Sequence, residues 1–297
     1  MSTRTAPVLH GTRILSLALN LPGPAALMRC RRMGATCTKV EPPAGDPMGH
    51  YNPAAYGELH EGVKVLTADL KTAEGQQRVH AELAQAHVLL TSFRPSALEK
   101  LGLGWKALHA RYPQLSQVAI VGAPGARAEE PGHDLTYLAQ NGLVPGLELP
   151  ATLYADMGGS LMAAEAVLQA ALLQAQRYDG SGDLQPGRYF EVALSDAAGY
   201  LGLPRRWGLT APEGSVGGAH AGYKVYPCRD GRVAVAALEP HFAAALCEAA
   251  GLPGADARGG MLAAATHEGL AAWFAGCTRA QLEQLAAERD LPLHTLA

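Results

Sequence analysis

Residues 13–40 read RILSLALNLPGPAALMRCRRMGATCTKV and predict a strand, a helix and a second strand in succession. The two strands, Arg13–Leu19 and Thr36–Val40, are short runs of apolar and β-branched residues. The helix, Ala25–Met33, is followed by Gly34, a residue type that often ends a helix in the left-handed conformation. Elements this close together form a parallel βαβ unit with the helix packed on the sheet.

The same alternation continues through the first two thirds of the chain and predicts a Rossmann-like α/β domain with a mostly parallel sheet. Ser96 and Glu99 have the spacing of a capping box at the start of one of its helices. The further strands are expected at Lys64–Ala68, His87–Thr91, Gln117–Val121 and Arg188–Ala193, and the further helices at Thr72–Gln85, Ser96–Leu101 and Gly158–Arg177.

The pattern changes near Ala211–Gly218, where glycine and serine cluster. Beyond that point Asp230-Gly231 is a strong hairpin signal between two apolar runs, and three helical segments follow. We therefore predict a large α/β domain over residues 1–211 and a smaller α+β domain over residues 212–297. The smaller domain is expected to contain strands Gly222–Pro227 and Val233–Ala237 and helices Glu239–Ala250, Thr266–Ala275 and Thr278–Asp290.

The composition excludes several classes of protein. The 297 residues include 24 basic and 27 acidic side chains, a formal charge of −3, and 48% of them are hydrophobic. This balance excludes a disordered tail and a nucleic-acid binder that acts through bulk positive charge. Only 17% of the residues are charged, and so low a fraction predicts that a partner subunit covers part of the surface.

Cysteine spacing and the length of apolar runs limit which covalent links, metal sites and membrane spans the sequence can form. The five cysteines form no C-x-x-C pair and no histidine stands at zinc-ligand spacing, so we expect neither a disulfide framework nor a metal site. The longest helical apolar run, Leu161–Ala175, is too short and too interrupted to span a bilayer. We expect a cytoplasmic protein that binds neither membranes nor nucleic acid.

Three short segments carry candidate chemistry. Gly132-His133-Asp134 follows a predicted strand and loop, so it should lie at the carboxyl edge of the sheet, where open α/β sheets bind ligands. Asp156 precedes two glycines at the start of the long helix, where a carboxylate beside backbone donors suits a base or a nucleophile. Glu239 stands at another predicted helix start. Each acid also has a purely structural interpretation as a residue that stabilises a helix N-terminus.

Phosphate-binding signals are weaker. There is no Walker A or G-x-G-x-x-G motif, so neither ATP nor a nicotinamide cofactor is indicated. The basic run Arg29–Arg32 is better explained as a solvated helix face. Four cations near the ends of predicted sheet elements could together hold the phosphates of a nucleotide-like ligand, namely Lys39, Lys71, Arg94 and Lys100.

Several short segments share their order along the chain with one known family. They include Pro22-Gly23-Pro24, Thr38–Pro43, Thr67–Lys71, Phe93-Arg94-Pro95, Leu101–Gly104, Gly132-His133-Asp134, Ala155-Asp156, Asp230-Gly231 and Leu238-Glu239-Pro240. Together they resemble the family III CoA-transferases of the CaiB/BaiF type, and within them the α-methylacyl-CoA racemases. The resemblance extends from about residue 9 to 250.

This resemblance implies a CoA thioester as substrate, no metal or organic cofactor, and a homodimer whose two chains interlock. It implies His133 and Asp156 as the two catalytic bases, with Glu239 supporting the histidine and Asp134 the neighbouring acid. Inverting the carbon beside a thioester requires one group to remove a proton from one face and another to deliver a proton to the opposite face. Backbone donors at the helix start around Asp156 and its glycines are expected to stabilise the enolate.

The resemblance also assigns the path of the CoA moiety. The residues expected along that path are Lys39, Ala68, Asp69, Leu70, Lys71, Ser92, Phe93, Arg94, Lys100, Gly132 and Tyr137.

Two alternatives stay open. CoA-transferases of the same family use the acid at Asp156 as a nucleophile, forming an acyl-aspartyl anhydride and then an aspartyl-CoA thioester. The other alternative is a non-catalytic acyl-CoA-binding or partner subunit, because three features depart from the family pattern. Glu58–Gly62 carries acids where cations are expected, the loop Gly142–Tyr154 looks shortened, and the family's returning C-terminal segment is expected to be missing after Ala297.

Overall fold

The computed structural model describes residues 7–175, 185–252, 254–255 and 259–297. The chain forms two compact units, Met1–Gly202 and Leu203–Ala297. The domain boundary predicted between residues 211 and 212 falls inside the second unit.

A six-stranded parallel sheet organises the first unit and confirms the α/β prediction. Its strands are β1 (Arg13–Ser16), β2 (Thr36–Glu41), β3 (Lys64–Thr67), β4 (Val88–Thr91), β5 (Ser116–Val121) and β6 (Tyr189–Ala193). Their order across the sheet is β3-β2-β1-β4-β5-β6. Strands β2 and β3 lie on one side of β1, and the later strands β4, β5 and β6 lie on the other side. The sheet therefore has a topological switch point between β1 and β4.

Helices surround this sheet. They are α1 (Pro22–Arg32), α2 (Pro47–Tyr51), α3 (Pro53–Leu59), α4 (Ala73–Leu83), α5 (Pro95–Lys100), α6 (Trp105–Arg111), α7 (Asp134–Gln140), α8 (Tyr154–Ala175) and α9 (Leu194–Leu201), with a 3-10 turn at Gly125–Glu129. The sequence did not predict α2, α3, α6 or α9, because five to eight residues are too few to show a clear helical apolar period. Gly34, at φ +99°, follows α1 as predicted. The last two residues of the predicted helix Gly158–Arg177 lie outside the described residues.

Apolar side chains cover both faces of the sheet, as buried parallel strands require. Neighbouring residues of a strand point to opposite faces. Ile14 and Leu90 accordingly pack in the cluster that contains residues of α1 and α8, whereas Leu15 and Leu89 pack in the cluster that contains residues of α4, α5 and α6. The sheet therefore lies between two layers of helices, and its carboxyl edge stays open for a site.

The second unit contains a three-stranded antiparallel sheet in the order β7-β8-β9. Its elements are β7 (Tyr223–Cys228), β8 (Gly231–Ala236), β9 (Leu293–Leu296), α10 (Leu203–Arg206), α11 (Pro240–Ala249), α12 (Ala264–Gly276) and α13 (Arg279–Arg289), with helical turns at Ser215–Ala219 and Gly260–Leu262. The hairpin predicted at Asp230-Gly231 is present, since Cys228 pairs with Gly231. In the part of the chain that is described, no helix has both the length and the apolar character needed to cross a membrane.

Candidate active site

A cavity of about 600 Å³ opens at the carboxyl ends of β1, β4, β5 and β6. It lies at the switch point of the sheet, where ligands of open α/β folds bind. Seven of the predicted site residues line it, namely Ser92, Phe93, Arg94, Gly132, His133, Tyr137 and Asp156. The fold thus brings both predicted bases and part of the predicted CoA path into one cavity.

Asp156 belongs to the first turn of α8. The helix begins at Tyr154, so Asp156 is its third residue, and the predicted helix start at Gly158 is wrong. A backbone N–H this close to a helix start has no partner within the helix. Here it donates to Oδ1 of Asp134 at 2.9 Å. Asp134 is buried and does not line the cavity. Its hydrogen bond to Asp156 goes to the backbone N–H of that residue and leaves the Asp156 carboxyl free of this contact.

The environment of Asp156 favours a protonated carboxyl. Burial, followed by the charge of Asp134, raises the pKa of Asp156 from its usual 3.8 to about 6, and the neighbouring His133 opposes part of this shift. A carboxyl group with this pKa is present in both protonation states near neutral pH. It can therefore accept a proton and deliver one, as a general base and acid must.

His133 occupies the N-cap of α7, and its backbone is held by Thr136. The N–H of His133 donates to Oγ1 of Thr136 at 3.1 Å, and the Thr136 hydroxyl donates to the His133 carbonyl at 2.7 Å. His133 is exposed and lines the cavity. A short capped helix therefore fixes the backbone from which this side chain extends.

Tyr137 occupies the space that two glycines leave beside the cavity. A Cβ at Gly122 would lie 2.3 Å from the Tyr137 hydroxyl oxygen, and one at Gly132 would lie 2.6 Å from the same atom. Burial, followed by the charge of Asp156, raises the pKa of the Tyr137 hydroxyl. Glycine is needed at both positions because the ring approaches the backbone so closely.

Two of the backbone N–H groups predicted as oxyanion donors at the start of α8 have partners within the protein. Besides the N–H of Asp156, that of Met157 is engaged, since it donates to the Leu153 carbonyl at 3.0 Å. The glycines serve helix packing, because a Cβ at Gly159 would lie 2.3 Å from Cδ2 of Leu194. Enolate stabilisation at this helix start and ligand approach at the glycines stay predictions.

Lys39 does not face the cavity, and its prediction as a CoA phosphate ligand is wrong. Its side chain is fully buried, with Nζ 3.1 Å from Oε1 of Glu41 and 2.8 Å from Nε2 of His60. Nζ also forms a close ion pair with Asp46. A buried ammonium group needs partners of this kind, and these partners replace the expected phosphate.

The predicted CoA residues in the loop between β3 and α4 lie around a second, smaller cavity. This cavity, of about 130 Å³, adjoins the main one because Phe93 lines both. Its lining includes the predicted residues Ala68, Asp69, Leu70 and Lys71. Lys100 is exposed in the last turn of α5 and lines neither cavity.

Arg94, rather than Ser96, is the N-cap of α5, so the predicted capping box of Ser96 and Glu99 is wrong. The N–H and the hydroxyl of Ser96 donate to the carboxylate of Glu129 at 2.7 and 2.8 Å. Glu239 is exposed at the N-cap of α11, in the second unit.

The acidic segment around Glu58 and Glu61 pairs with the basic face of α1. Glu61 lies 3.8 Å from Arg31 and Glu58 lies 4.0 Å from Arg32, and all four side chains are solvent-accessible. Neither acid lines the main cavity. These acids therefore face arginines of their own chain, which agrees with the prediction that the basic run is a solvated helix face.

Sequence reasoning missed several residues of the cavity wall. Asn20, in the turn between β1 and α1, has a left-handed φ of +64° and lines the cavity. Its position after a predicted strand was the available signal, because asparagine tolerates this conformation. Met48 and Tyr51 also line the cavity. They lie on α2, whose five residues gave no helical pattern.

Known proteins with similar sequences include both transferases and a racemase. A probable fatty acyl-CoA transferase from Mycobacterium tuberculosis is 31% identical over 219 residues, 67% of this chain and 55% of that protein. Succinyl-CoA–D-citramalate CoA-transferase from Chloroflexus aurantiacus is 33% identical over 212 residues, 66% and 52% of the two chains. α-Methylacyl-CoA racemase from Mus musculus is 30% identical over 258 residues, 82% and 65%. The chain thus spans about half the length of the first two relatives.

Solved structures share the fold over nearly the whole chain. A CaiB/BaiF family protein from Brucella suis superimposes with a TM-score of 0.80 at 23% identity, covering 99% of this chain and 85% of that one. A protein from Mycobacterium tuberculosis gives 0.80 at 26% identity, covering 97% and 83%. Residues 9–297 match the sequence profile of CoA-transferase family III. The resemblance drawn from the sequence is therefore confirmed, and the chain is a member of CoA-transferase family III.

Proposed function

We propose that this protein is an acyl-CoA racemase or epimerase that inverts the carbon next to the thioester of a 2-methylacyl-CoA. The observation that carries the proposal is that His133 and Asp156 line one cavity, with the pKa of Asp156 raised to about 6. Two side chains that can each take up and release a proton are what proton exchange at a carbon acid requires.

In the proposed reaction one of the two residues takes the α-proton and the electron pair moves onto the thioester oxygen. The other residue then delivers a proton to the opposite face of the carbon, and the carbon–sulfur bond stays intact throughout. CoA enters as part of the substrate, and the reaction uses no further cofactor. Arg94, which lines the cavity, supplies a cation for the CoA phosphates. The support of His133 by Glu239 and a cytoplasmic location stay predictions.

Deuterium exchange tests this proposal. The protein is incubated in heavy water with an enantiopure 2-methylacyl-CoA, and the α-proton is followed by NMR. We expect loss of the α-proton signal together with loss of optical purity, while the thioester remains. H133A and D156A should each abolish inversion. Absence of exchange across several acyl chains with the wild-type protein would contradict the proposal.

CoA transfer through Asp156 is the second candidate. Among the described residues no side chain hydrogen-bonds to the Asp156 carboxylate, so its oxygens are available for attack on a thioester carbonyl. Attack would expel CoA as thiolate and leave an acyl-aspartyl anhydride, which CoA thiolate then converts to an aspartyl-CoA thioester with release of the first acid. Of the relatives named above, one is a CoA-transferase and another is a probable fatty acyl-CoA transferase.

Trapping distinguishes this candidate from racemisation. Hydroxylamine or borohydride is added to the protein with acyl-CoA, and the peptide containing Asp156 is analysed by mass spectrometry. A modified Asp156 would support transfer, whereas an unmodified peptide together with α-proton exchange would support racemisation.

A non-catalytic acyl-CoA-binding subunit is a further outcome of the same experiments. One of the departures from the family pattern that suggest it is the acidic segment, and there Glu58 and Glu61 pair with arginines of α1. Protection against thermal unfolding by millimolar CoA without exchange or trapping would indicate binding alone. If CoA gives no protection, binding itself is refuted.

A homodimer with interlocked chains belongs to the same proposal. It is supported by an apolar stripe on α8, where Tyr154, Met157 and Leu161 are 44, 40 and 50% exposed and share one helix face. Sedimentation equilibrium should give twice the mass of one chain, and L161E should lower that mass. A wild-type monomer at micromolar concentration would contradict the dimer.

A further inference from the structure

A cluster of buried charged and polar side chains lies behind one wall of the main cavity. This Lys39 cluster consists of Lys39 and Glu41 on β2, Asp46 before α2, and His60 after α3. All four residues are buried, and Lys39 is fully inaccessible. Buried charges persist in folded proteins when they are paired and hydrogen-bonded, and each partner here contacts the Lys39 ammonium group.

Lys39 supplies the positive charge of this cluster, and His60 is a neutral member of it. The Nδ1–H of His60 donates to the Tyr56 carbonyl at 2.7 Å, so Nε2 accepts from Lys39. Burial lowers the pKa of His60, which keeps the ring neutral. Glu41, Asp46 and His60 place possible metal ligands within 4.8 Å of one another. Because Lys39 contacts all three, its ammonium group provides the positive charge that these residues would otherwise take from a metal ion.

Asp46 connects Lys39 to the cavity wall, because its carboxylate contacts Lys39 and also accepts hydrogen bonds from residues of that wall. Both of its carboxylate oxygens accept the backbone N–H of Asn20 at 3.1 Å, and Oδ1 accepts that of Met48 at 2.9 Å. Asn20 and Met48 both line the main cavity. Since Asn20 has a left-handed φ of +64°, its conformation depends on the contacts that hold this turn.

Asn20 also lies where two cavities meet. A neighbouring groove of about 350 Å³ is lined by Leu19, Asn20, Ser92, Phe93, Arg94 and Ala97. All of these except Ala97 also line the main cavity, which contains Asp156. Asn20 therefore belongs to the wall that the groove and the main cavity share.

We infer that Lys39 and Asp46 are positioning residues that hold the turn at Asn20 where the long CoA thioester passes from the groove into the reaction cavity. The inference rests on the proposed function for the identity of the ligand. Lys39 touches no ligand in this scheme, and it acts through Asp46. The sequence predicted the opposite role, a lysine that binds phosphate directly.

The experiment compares K39M, D46N and the double variant K39M/D46N with wild type. K64M is the matched control, because Lys64 also forms an ion pair with a carboxylate, Glu82, but lies exposed on the neighbouring strand β3. Circular dichroism and melting curves establish that each variant folds. D46N retains the volume of aspartate and carries the test if K39M does not fold.

The first readout needs no ligand. Hydrogen exchange at the amides of Asn20 and Met48 should become at least about tenfold faster in K39M and D46N. D46N neutralises the acceptor of these amides, and K39M removes the cation that holds it, so each change raises the local opening equilibrium. K64M should leave both rates unchanged. If folded K39M and D46N keep wild-type protection at both amides, the inference is overturned.

The second readout is the response of KM and kcat. A displaced passage wall should raise KM for acyl-CoA by about tenfold while kcat changes less, because binding rather than proton transfer is affected. The double variant should be no worse than the more impaired single variant, since two residues that act through one path are not additive. Unchanged KM in folded variants, or a purely additive double variant, would overturn the inference.

Failure of wild type to bind acyl-CoA would instead refute the proposed function, and the exchange readout would still decide the positioning of Asn20.

Discussion

The carboxylate of Asp134 accepts the backbone N–H of Asp156 at 2.9 Å, so two acids that are 22 positions apart in the sequence form one unit. The contact has two effects. It satisfies an N–H in the first turn of α8, which would otherwise lack a partner. It also places a negative charge beside Asp156, which raises the pKa of that carboxyl in addition to the effect of burial.

Replacing Asp134 by asparagine should separate these effects. D134N keeps an oxygen that can accept the Asp156 N–H but removes the charge, so the pKa of Asp156 should fall below its present value of about 6. The acid limb of the kcat/KM profile should move to lower pH. D134A should in addition lose about 1 kcal/mol of stability, as expected for a lost helix-capping group. An acid limb that stays in place in D134N would show that the Asp134 charge does not control Asp156.

Replacing Asp156 by asparagine should stabilise the folded protein at high pH. The pKa of Asp156 is about 6 when folded against a usual value of 3.8, so its favourable contribution is complete below pH 3.8 and is lost as the pH rises through 6. The loss amounts to about 3 kcal/mol at most. D156N should therefore be more stable than wild type at pH 8, and this gain should disappear below pH 4. Urea denaturation at several pH values measures it, and a pH-independent difference would contradict the pKa shift.

Adding a methyl group beside Tyr137 should destabilise the cavity wall. In G122A the new Cβ would lie 2.3 Å from the Tyr137 hydroxyl oxygen, so the ring must move at a cost of about 1–3 kcal/mol. G57A is the control, because Gly57 lies within α3 with no heavy atom within 4 Å of an added Cβ. That change should stabilise the protein by about 0.5–1 kcal/mol. Equal stabilities of G122A and wild type in urea would contradict the close packing of Tyr137.

Removing the charge of Arg94 should weaken CoA binding and reduce its dependence on salt. Arg94 lines both the main cavity and the neighbouring groove. A charge-assisted contact to phosphate is worth about 1.5–3 kcal/mol, so R94Q should raise Kd for CoA at least about tenfold. K106Q, an exposed lysine on α6, is the control and should bind like wild type. Calorimetric titration with CoA at two salt concentrations measures Kd for each variant. Equal Kd values and equal salt dependence for R94Q and K106Q would contradict the assignment of Arg94 as a phosphate ligand.

The sequence predicted the six parallel strands well because each strand is a short segment rich in apolar and β-branched residues and bounded by turns, and this signal is local. It also predicted that His133 lies near the sheet edge, since the carboxyl ends of parallel strands meet at one side of a sheet. It failed where a partner is distant in the chain. Ser96 and Glu99 have the spacing of a capping box, yet Ser96 donates to Glu129 from the loop after β5.

The sequence by itself determined the fold class, the family and the two residues proposed to exchange protons, because apolar periodicity and short motifs are written within a few neighbouring positions. Only the tertiary structure decided what each charged group contacts. Lys39 changed from an expected phosphate ligand to a buried cation among Glu41, Asp46 and His60. The physical reason is that burial and charge pairing depend on every element packed around a side chain, and the β2 sequence alone does not contain that information.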